Sequence, residues 1–438
     1  MKKLTCFSLW LCLLVAGGSR CAAQDTVYAH RVLRRLTAPA LHGRGPAYGG
    51  DSLAALYIRD ELRKWKVQPL GKDYFQHFTY NTTALEGPCR LNIDGHEWKP
   101  YDDFRVALFS SSFHGLLGER RAVEVPAETL IDEGQLKRFL SKHRGALRDE
   151  IVYIDLTRFR PRDAEQAKQM EAARRELTVR NPFGSAVLML GVDELSTPSP
   201  AQADREHDYA LVEVRAALMP RRYRDLNLDV SSRFRPNYRT QNVCGMIAGE
   251  RSDSLMVYTA HYDHLGMMGD SLTFYGAHDN ASGVAALLEL VRQASEEKPK
   301  FTTVFLFFAG EEAGLQGSRY AAAHPLVDFS KVRLLLNIDM FCGGDEGLMI
   351  FNATDPSVRP FVDRLTTLND AMHVFPELRC RENRANSDHY SFAHLCPAMY
   401  VLTLGGPYGG YHSPYDKASD CGLQNFVNYL TLLSVLAL

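Results

Sequence analysis

Five short stretches carry the side chains best suited to chemistry. His261-Tyr262-Asp263 sets an imidazole two residues before a carboxylate, and Gly276-Ala277-His278-Asp279-Asn280-Ala281-Ser282-Gly283 places an adjacent imidazole and carboxylate between glycines. Glu311-Glu312 follows Phe307-Phe308-Ala309-Gly310, Asp339 stands in Asn337-Ile338-Asp339-Met340, and His412 lies in Gly409-Gly410-Tyr411-His412-Ser413. Imidazole together with carboxylate suits zinc, or less specifically cobalt or manganese. Two histidines and three carboxylates can serve two ions if one carboxylate bridges them. Ions held roughly 3.5–4 Å apart can activate a water while polarising a substrate oxygen. Each residue also has an ordinary use. Asp279 could cap a helix, Asp339 could satisfy turn amides, Glu311-Glu312 could be solvated loop charge, and a single histidine is usually structural. All of these together, at successive strand ends, make an improbable coincidence.

The strand ends come from the surrounding pattern. Leu255–Ala260, Thr302–Phe308, Val332–Ile338 and Ala398–Leu402 read as buried strands, with helices over Val284–Val291 and Gly317–Ala323. Apolar strands alternating with helices predict an α/β domain, its mixed and largely parallel central sheet flanked by helices. Ligands of such sheets bind beyond the carboxyl ends of the strands, where the five stretches fall. Upstream, Asp51 is expected to cap a helix in which Ala55, Ile58, Leu62 and Trp65 recur at helical spacing. Between residues 80 and 238 the pattern changes. Strand-like runs at 150–154 and 186–190 flank a charged helical stretch around Asp163–Leu177, and loops rich in Pro and Arg follow, including Pro220-Arg221-Arg222 and Arg233-Phe234-Arg235-Pro236. The expected organisation is a main domain over 24–79 and 239–438, interrupted by a smaller inserted domain at 80–238.

A chain of 438 residues has room for two or three domains of roughly 150 residues each, or for one large domain with an insertion. Its 45% hydrophobic and 23% charged content excludes a disordered, collagen-like or disulfide-knot protein. Lys+Arg 50 against Asp+Glu 52 leaves no basic excess to recommend nucleic acid or an anionic membrane as partner. Lys2-Lys3, the apolar run from Leu4 to Val15 and the small residues Cys21-Ala22-Ala23 make residues 1–23 a secretory signal peptide. That run is too short to cross a bilayer comfortably, and no other candidate span is visible. Export to the periplasm, the cell surface or the outside is therefore expected. Lipidation at Cys21 is a rival reading that Arg20 fits poorly. Past the leader, Cys89, Cys244, Cys342, Cys380, Cys396 and Cys421 remain, none of them in a CxxC pair. That argues against a thiolate zinc site, while export would allow disulfides.

The same stretches, with His261-Tyr262-Asp263-His264-Leu265-Gly266, Gly310–Ser318 and Tyr411-His412-Ser413 in order, resemble the two-zinc exopeptidases that include bacterial leucyl aminopeptidases and glutamate carboxypeptidase. A weaker likeness covers Leu41-His42-Gly43-Arg44-Gly45 and Ser387-Asp388-His389-Tyr390, and the middle third is left uncovered. The resemblance implies peptide substrates and two Zn2+ ions. By it, His261 and Asp339 hold one ion, Glu312 and His412 the other, and Asp279 bridges them. It makes Glu311 the general base and Asp263 the group that orients the His261 imidazole. His278 is expected to face solvent, and Asp388 to lie near the site without being a ligand. The insertion is loosely like the protease-associated insertions of some members. The activity expected is an aminopeptidase. The rivals are a glutaminyl cyclase-like enzyme on the same fold, which the resemblance gives one zinc, and a non-catalytic binding domain that has lost its metal.

Overall fold

The computed structural model describes residues 26–116, 122–148, 150–200, 207–406 and 410–437, so the expected leader lies outside the described residues. The first helix, Thr26–Leu36, buries Tyr28, Ala29, Val32, Leu33 and Leu36, a single face at helical spacing. The helix Gly50–Lys64 buries Ala54, Ala55, Ile58 and Leu62. Asp51 does not cap it. The cap position is Gly49, and Asp51 sits buried in the first turn, where it accepts hydrogen bonds from Tyr238 Oη at 2.6 Å and Thr240 Oγ1 at 2.7 Å. A carboxylate there ties the helix to the sheet, a long-range use that helical spacing does not reveal.

The central sheet is built on four parallel strands, in the order Phe301–Phe308, Arg251–His261, Val332–Ile338 and Ala398–Leu404. Tyr258 lies between Phe305 on one side and Leu336 on the other, which sets the register. Every residue of Phe301–Phe308 and of Ala398–Leu404 is buried. Helices cover both faces of such a sheet, so its strands read as unbroken apolar runs. Gly347–Phe351 adds to one side of this core antiparallel to Ala398–Leu404, and Leu226–Ile247 to the other side antiparallel to Phe301–Phe308. The helix Ser282–Glu296 buries every residue from Ser282 to Arg292.

Two long strands, Phe75–Ile93 and Leu226–Ile247, pair antiparallel from Phe75↔Val243 to Ile93↔Leu226. They carry the chain out of the central sheet and back. The expected loop at Arg233–Pro236 is therefore strand. Pro236 is accommodated because the register slips between Arg235 and Tyr238, a bulge where a missing N–H removes no ladder bond. Between these strands lies a second, five-stranded sheet. It has Phe104–Val106 antiparallel at one edge, then Ala210–Arg215, Val187–Val192, Ile151–Asp155 and Val123–Glu124 in parallel. Leu265, Met268 and Phe274 of the main domain pack into the core of this unit, so the two share apolar contact. A disulfide joins Cys342 to Cys421 and leaves Cys89, Cys244, Cys380 and Cys396 free among the described residues. Among the described residues no helix is long and apolar enough to cross a membrane.

Candidate metal centre

Most of the expected site residues sit at or just beyond the ends of strands. His261 ends Arg251–His261, and Asp339 follows Val332–Ile338 directly. Glu311 and Glu312 come just after Phe301–Phe308, and Asp279 lies in the loop entering Ser282–Glu296. Gly276 makes that last loop possible. Its φ is +58°, and a Cβ there would collide with the Asp279 carbonyl and the His264 ring.

The side chains converge on Asp279. Its Oδ1 lies 3.3 Å from His261 Nε2, whose other neighbour is Asp339 Oδ1 at 3.2 Å. Its Oδ2 lies 3.2 Å from His412 Nε2, which is also 3.0 Å from Glu312 Oε2. One carboxylate thus serves two groups of donors, His261–Asp339 on one side and Glu312–His412 on the other. His261, Asp279, Glu312 and Asp339 are all buried. Buried carboxylates ordinarily need a cation. Among the described residues no lysine or arginine forms an ion pair with any of these; their charged neighbours are imidazoles. The electrostatics carry the same message. Burial alone would lower the His261 pKa, yet Asp339 and Glu311 hold it well above the usual imidazole range. Burial, with Glu312, Asp388 and Asp339 adding to it, pushes the Glu311 carboxyl well above the carboxylate range. The donor set fits two divalent cations: imidazole nitrogen and carboxylate oxygen on each side and a carboxylate between.

Further residues hold this set in place. The Asp263 carboxylate accepts from the backbone N–H of Glu311 at 3.1 Å and of Glu312 at 3.3 Å. Its expected contact to His261 is made instead by its backbone carbonyl, 3.2 Å from Nδ1, with the carboxylate at 3.7 Å. Asp263 therefore orients the imidazole through the main chain and the Glu311-Glu312 turn through its side chain. Asp339 Oδ2 accepts from Ser387 Oγ at 2.7 Å, Ser387 Oγ from Asn337 Nδ2 at 2.8 Å, and Asn337 Oδ1 from Thr259 Oγ1 at 2.7 Å. Asp416 accepts from the N–H of His278 at 2.8 Å and of Asp279 at 3.1 Å, clamping the bridging loop. Arg44 is completely buried. It donates to the carbonyls of Tyr262, Tyr275 and Gly276 at 2.7 Å and of Leu36 at 3.0 Å.

His264 stands in the matching stretch with no role assigned by the resemblance, yet its Nδ1 lies 2.8 Å from Glu312 Oε1. It can orient Glu312 or join His412 and Asp279 around the same position. Its signal was its place three residues after His261, which brings it round the turn into the site. His278 does not face solvent. It is 3% exposed, and its Nδ1 accepts from the N–H of Cys342 at 3.3 Å, because Asp416 folds the loop inward. Asp388 is fully buried close to the centre, burial pushes its carboxyl up to about 7, and it is absent from both clusters of donors.

Residues 242–435 match the model of peptidase family M28. A probable zinc metalloprotease of Leptosphaeria maculans is 34% identical over 123 residues, 27% of this chain and 28% of that protein. A vacuolar membrane protease of Ajellomyces dermatitidis is 27% identical over 185 residues, 40% of this chain and 17% of that protein. The chain thus spans well under a third of either relative's length. Two solved structures share the fold over nearly the whole chain. A zinc aminopeptidase from Bacillus subtilis matches with a TM-score of 0.64 at 18% identity, covering 96% of this chain and 95% of that one. A peptidase M28 precursor from Shewanella amazonensis matches with a TM-score of 0.64 at 19% identity, covering 93% and 92%.

Proposed function

We propose, from the match of residues 242–435 to peptidase family M28, that the protein is an exported two-zinc aminopeptidase that removes residues from the free N-termini of peptides. The observation that carries the reading is Asp279, with one carboxylate oxygen turned to His261 and the other to His412. The residues that would hold the ions are His261 and Asp339 on one side, Glu312 and His412 on the other, and Asp279 between. Two bound zinc ions supply Lewis acidity toward a carbonyl and acidity to a water. The chain's own contribution is positional and basic. Asp263 fixes the amides of Glu311 and Glu312, so that the Glu311 carboxylate is presented at the site as the group that takes the proton of the attacking water and passes it to the leaving amine. The closely packed loops of Arg44, Asp416 and Ser387 hold the donors around their two positions.

Aminopeptidase over carboxypeptidase rests on the fold shared with the Bacillus subtilis enzyme. The cyclase reading, with one ion, has no use for a second donor pair at His261 and Asp339. Export rests on the leader pattern of residues 1–23, and the Cys342–Cys421 disulfide agrees with an oxidising compartment. A Gln-initiated peptide in free, N-acetylated, C-amidated and doubly blocked forms, followed by mass spectrometry, tests the specificity. Acetylation should abolish cleavage and amidation should matter little. Residues lost from the acetylated peptide would end the aminopeptidase reading, and ammonia release with every peptide bond intact would favour a cyclase.

A further inference from the structure

The inserted unit reaches the metal centre. The carbonyl oxygen of Pro198, a buried residue in the loop after Val187–Val192, lies 3.2 Å from His412 Nδ1. A carbonyl only accepts, so the hydrogen of this contact belongs to Nδ1. In the neutral imidazole that leaves the lone pair on Nε2, the nitrogen facing Asp279 and Glu312. A ligating histidine commonly has its tautomer and ring angle set by such a partner on the far nitrogen.

The loop that supplies this carbonyl is anchored. Two residues upstream, Ser196 donates from its N–H to Glu213 Oε2 at 2.9 Å and from its hydroxyl to Glu213 Oε1 at 2.8 Å. Arg105 donates to the same hydroxyl and to Glu213 Oε2 at 2.8 Å. Arg105 and Glu213 face each other across paired strands of the inserted sheet, with side chains 5% and 12% exposed. A buried ion pair is a poor source of net stability but a strong constraint on geometry. Here the constraint falls on one loop serine. On the other side of His412, Tyr415 Oη donates to Asp102 Oδ1 at 2.6 Å and its ring meets that of Tyr101 edge-on. The inserted unit therefore grips the His412 loop at two points.

We propose that the inserted unit is a working part of the metal centre: the Arg105–Glu213 pair holds Ser196 so that the Pro198 carbonyl orients His412 for its ion. Arg105, Glu213, Ser196 and Pro198 are positioning residues, acting through His412. The proposal rests on the two-metal reading above, so wild-type protein is measured first. Zinc is the probe, titrated into metal-stripped full-length protein against a chromophoric chelator, alongside kcat and KM on an unblocked peptide. In Ser196→Ala and Glu213→Gln, one of the two zinc affinities should fall roughly 10–100-fold while the other holds. The lost turnover should return in excess zinc, and Ser196→Thr should restore the wild-type affinity. If Glu213→Gln does not fold, Ser196→Ala, which removes only a hydroxyl, decides. Wild-type affinity for both ions in folded Ser196→Ala, or equal weakening of both, overturns the proposal. A wild-type protein that binds no zinc overturns the metal reading instead.

Discussion

Replacing Arg44 by alanine should cost the fold dearly, and the amount can be worked out from its contacts. The guanidinium is completely buried and makes four hydrogen bonds of 2.7–3.0 Å, to the carbonyls of Leu36, Tyr262, Tyr275 and Gly276. Hydrogen bonds to a charged group contribute roughly 1.5–3 kcal/mol each, and buried acceptors left without a donor are costly in their own right. Burial pushes the guanidinium down to about 10, with Asp416 and Asp279 opposing the drop, so it is cationic at neutral pH. At the low end four such bonds give about 6 kcal/mol, and water entering the vacated space returns part of it, leaving about 4–5 kcal/mol. Whole-protein stabilities are on the order of 5–15 kcal/mol. For a domain of this size the thermal midpoint moves roughly 2–4 °C per kcal/mol, so a drop of about 10 °C or more is expected. The loss should reach the site as well, because three of the four carbonyls belong to the strand end after His261 and the loop before Asp279. Calorimetric melting with zinc analysis of the same samples reads both effects. A midpoint within about 2 °C of wild type would refute the reasoning, since no buried cation with four carbonyl partners can be removed so cheaply.

Three further outcomes follow from the geometry. Glu311→Gln should keep its zinc and lose about 10²–10⁴-fold in kcat, the usual contribution of a general base, and near wild-type turnover would move that role elsewhere. Burial alone would lower the His412 pKa, but Glu312 and Asp279 hold it up at about 11 in the metal-free protein. That raised value stabilises the metal-free fold below the ordinary imidazole range and is lost as pH rises through about 11. At pH 7 an entering ion must therefore displace a proton, and zinc uptake should release protons and weaken as pH falls. Titration calorimetry giving the same heat in buffers of different ionisation enthalpy would contradict this. Removing the Cys342–Cys421 bridge, which closes a separation of 79 residues, should lower stability by roughly 4 kcal/mol on loop-closure grounds. A double alanine variant with an unchanged melt would show that the loops of Asp339 and His412 are held without it.

The strand ends and the residues standing on them were legible because a parallel sheet covered on both faces writes its strands as apolar runs. Val332–Ile338 was read to the residue, and Leu255–Ala260 falls inside Arg251–His261, short of its first four residues and of His261 at its end. What stayed hidden depends on partners distant in sequence. Leu226–Ile247 carries arginines and Pro236, and its pairing with Phe75–Ile93 and, toward its end, with Phe301–Phe308 makes it a strand. Asp51 looked like a cap because its partners Tyr238 and Thr240 lie far along the chain. His278 turned inward because Asp416 holds its amide, and no local spacing signals that contact. The Pro198 contact to His412 joins residues 214 apart in two different sheets' loops.

The most direct test of the account is elemental analysis of zinc per chain in wild-type protein and in Asp279→Ala, each checked for a native melt. Asp279 is within reach of both donor pairs, at 3.3 Å from His261 and 3.2 Å from His412. The account predicts two zinc ions per wild-type chain and the loss of most of both in the variant. A wild-type chain holding none, or a folded variant that keeps two, would contradict it.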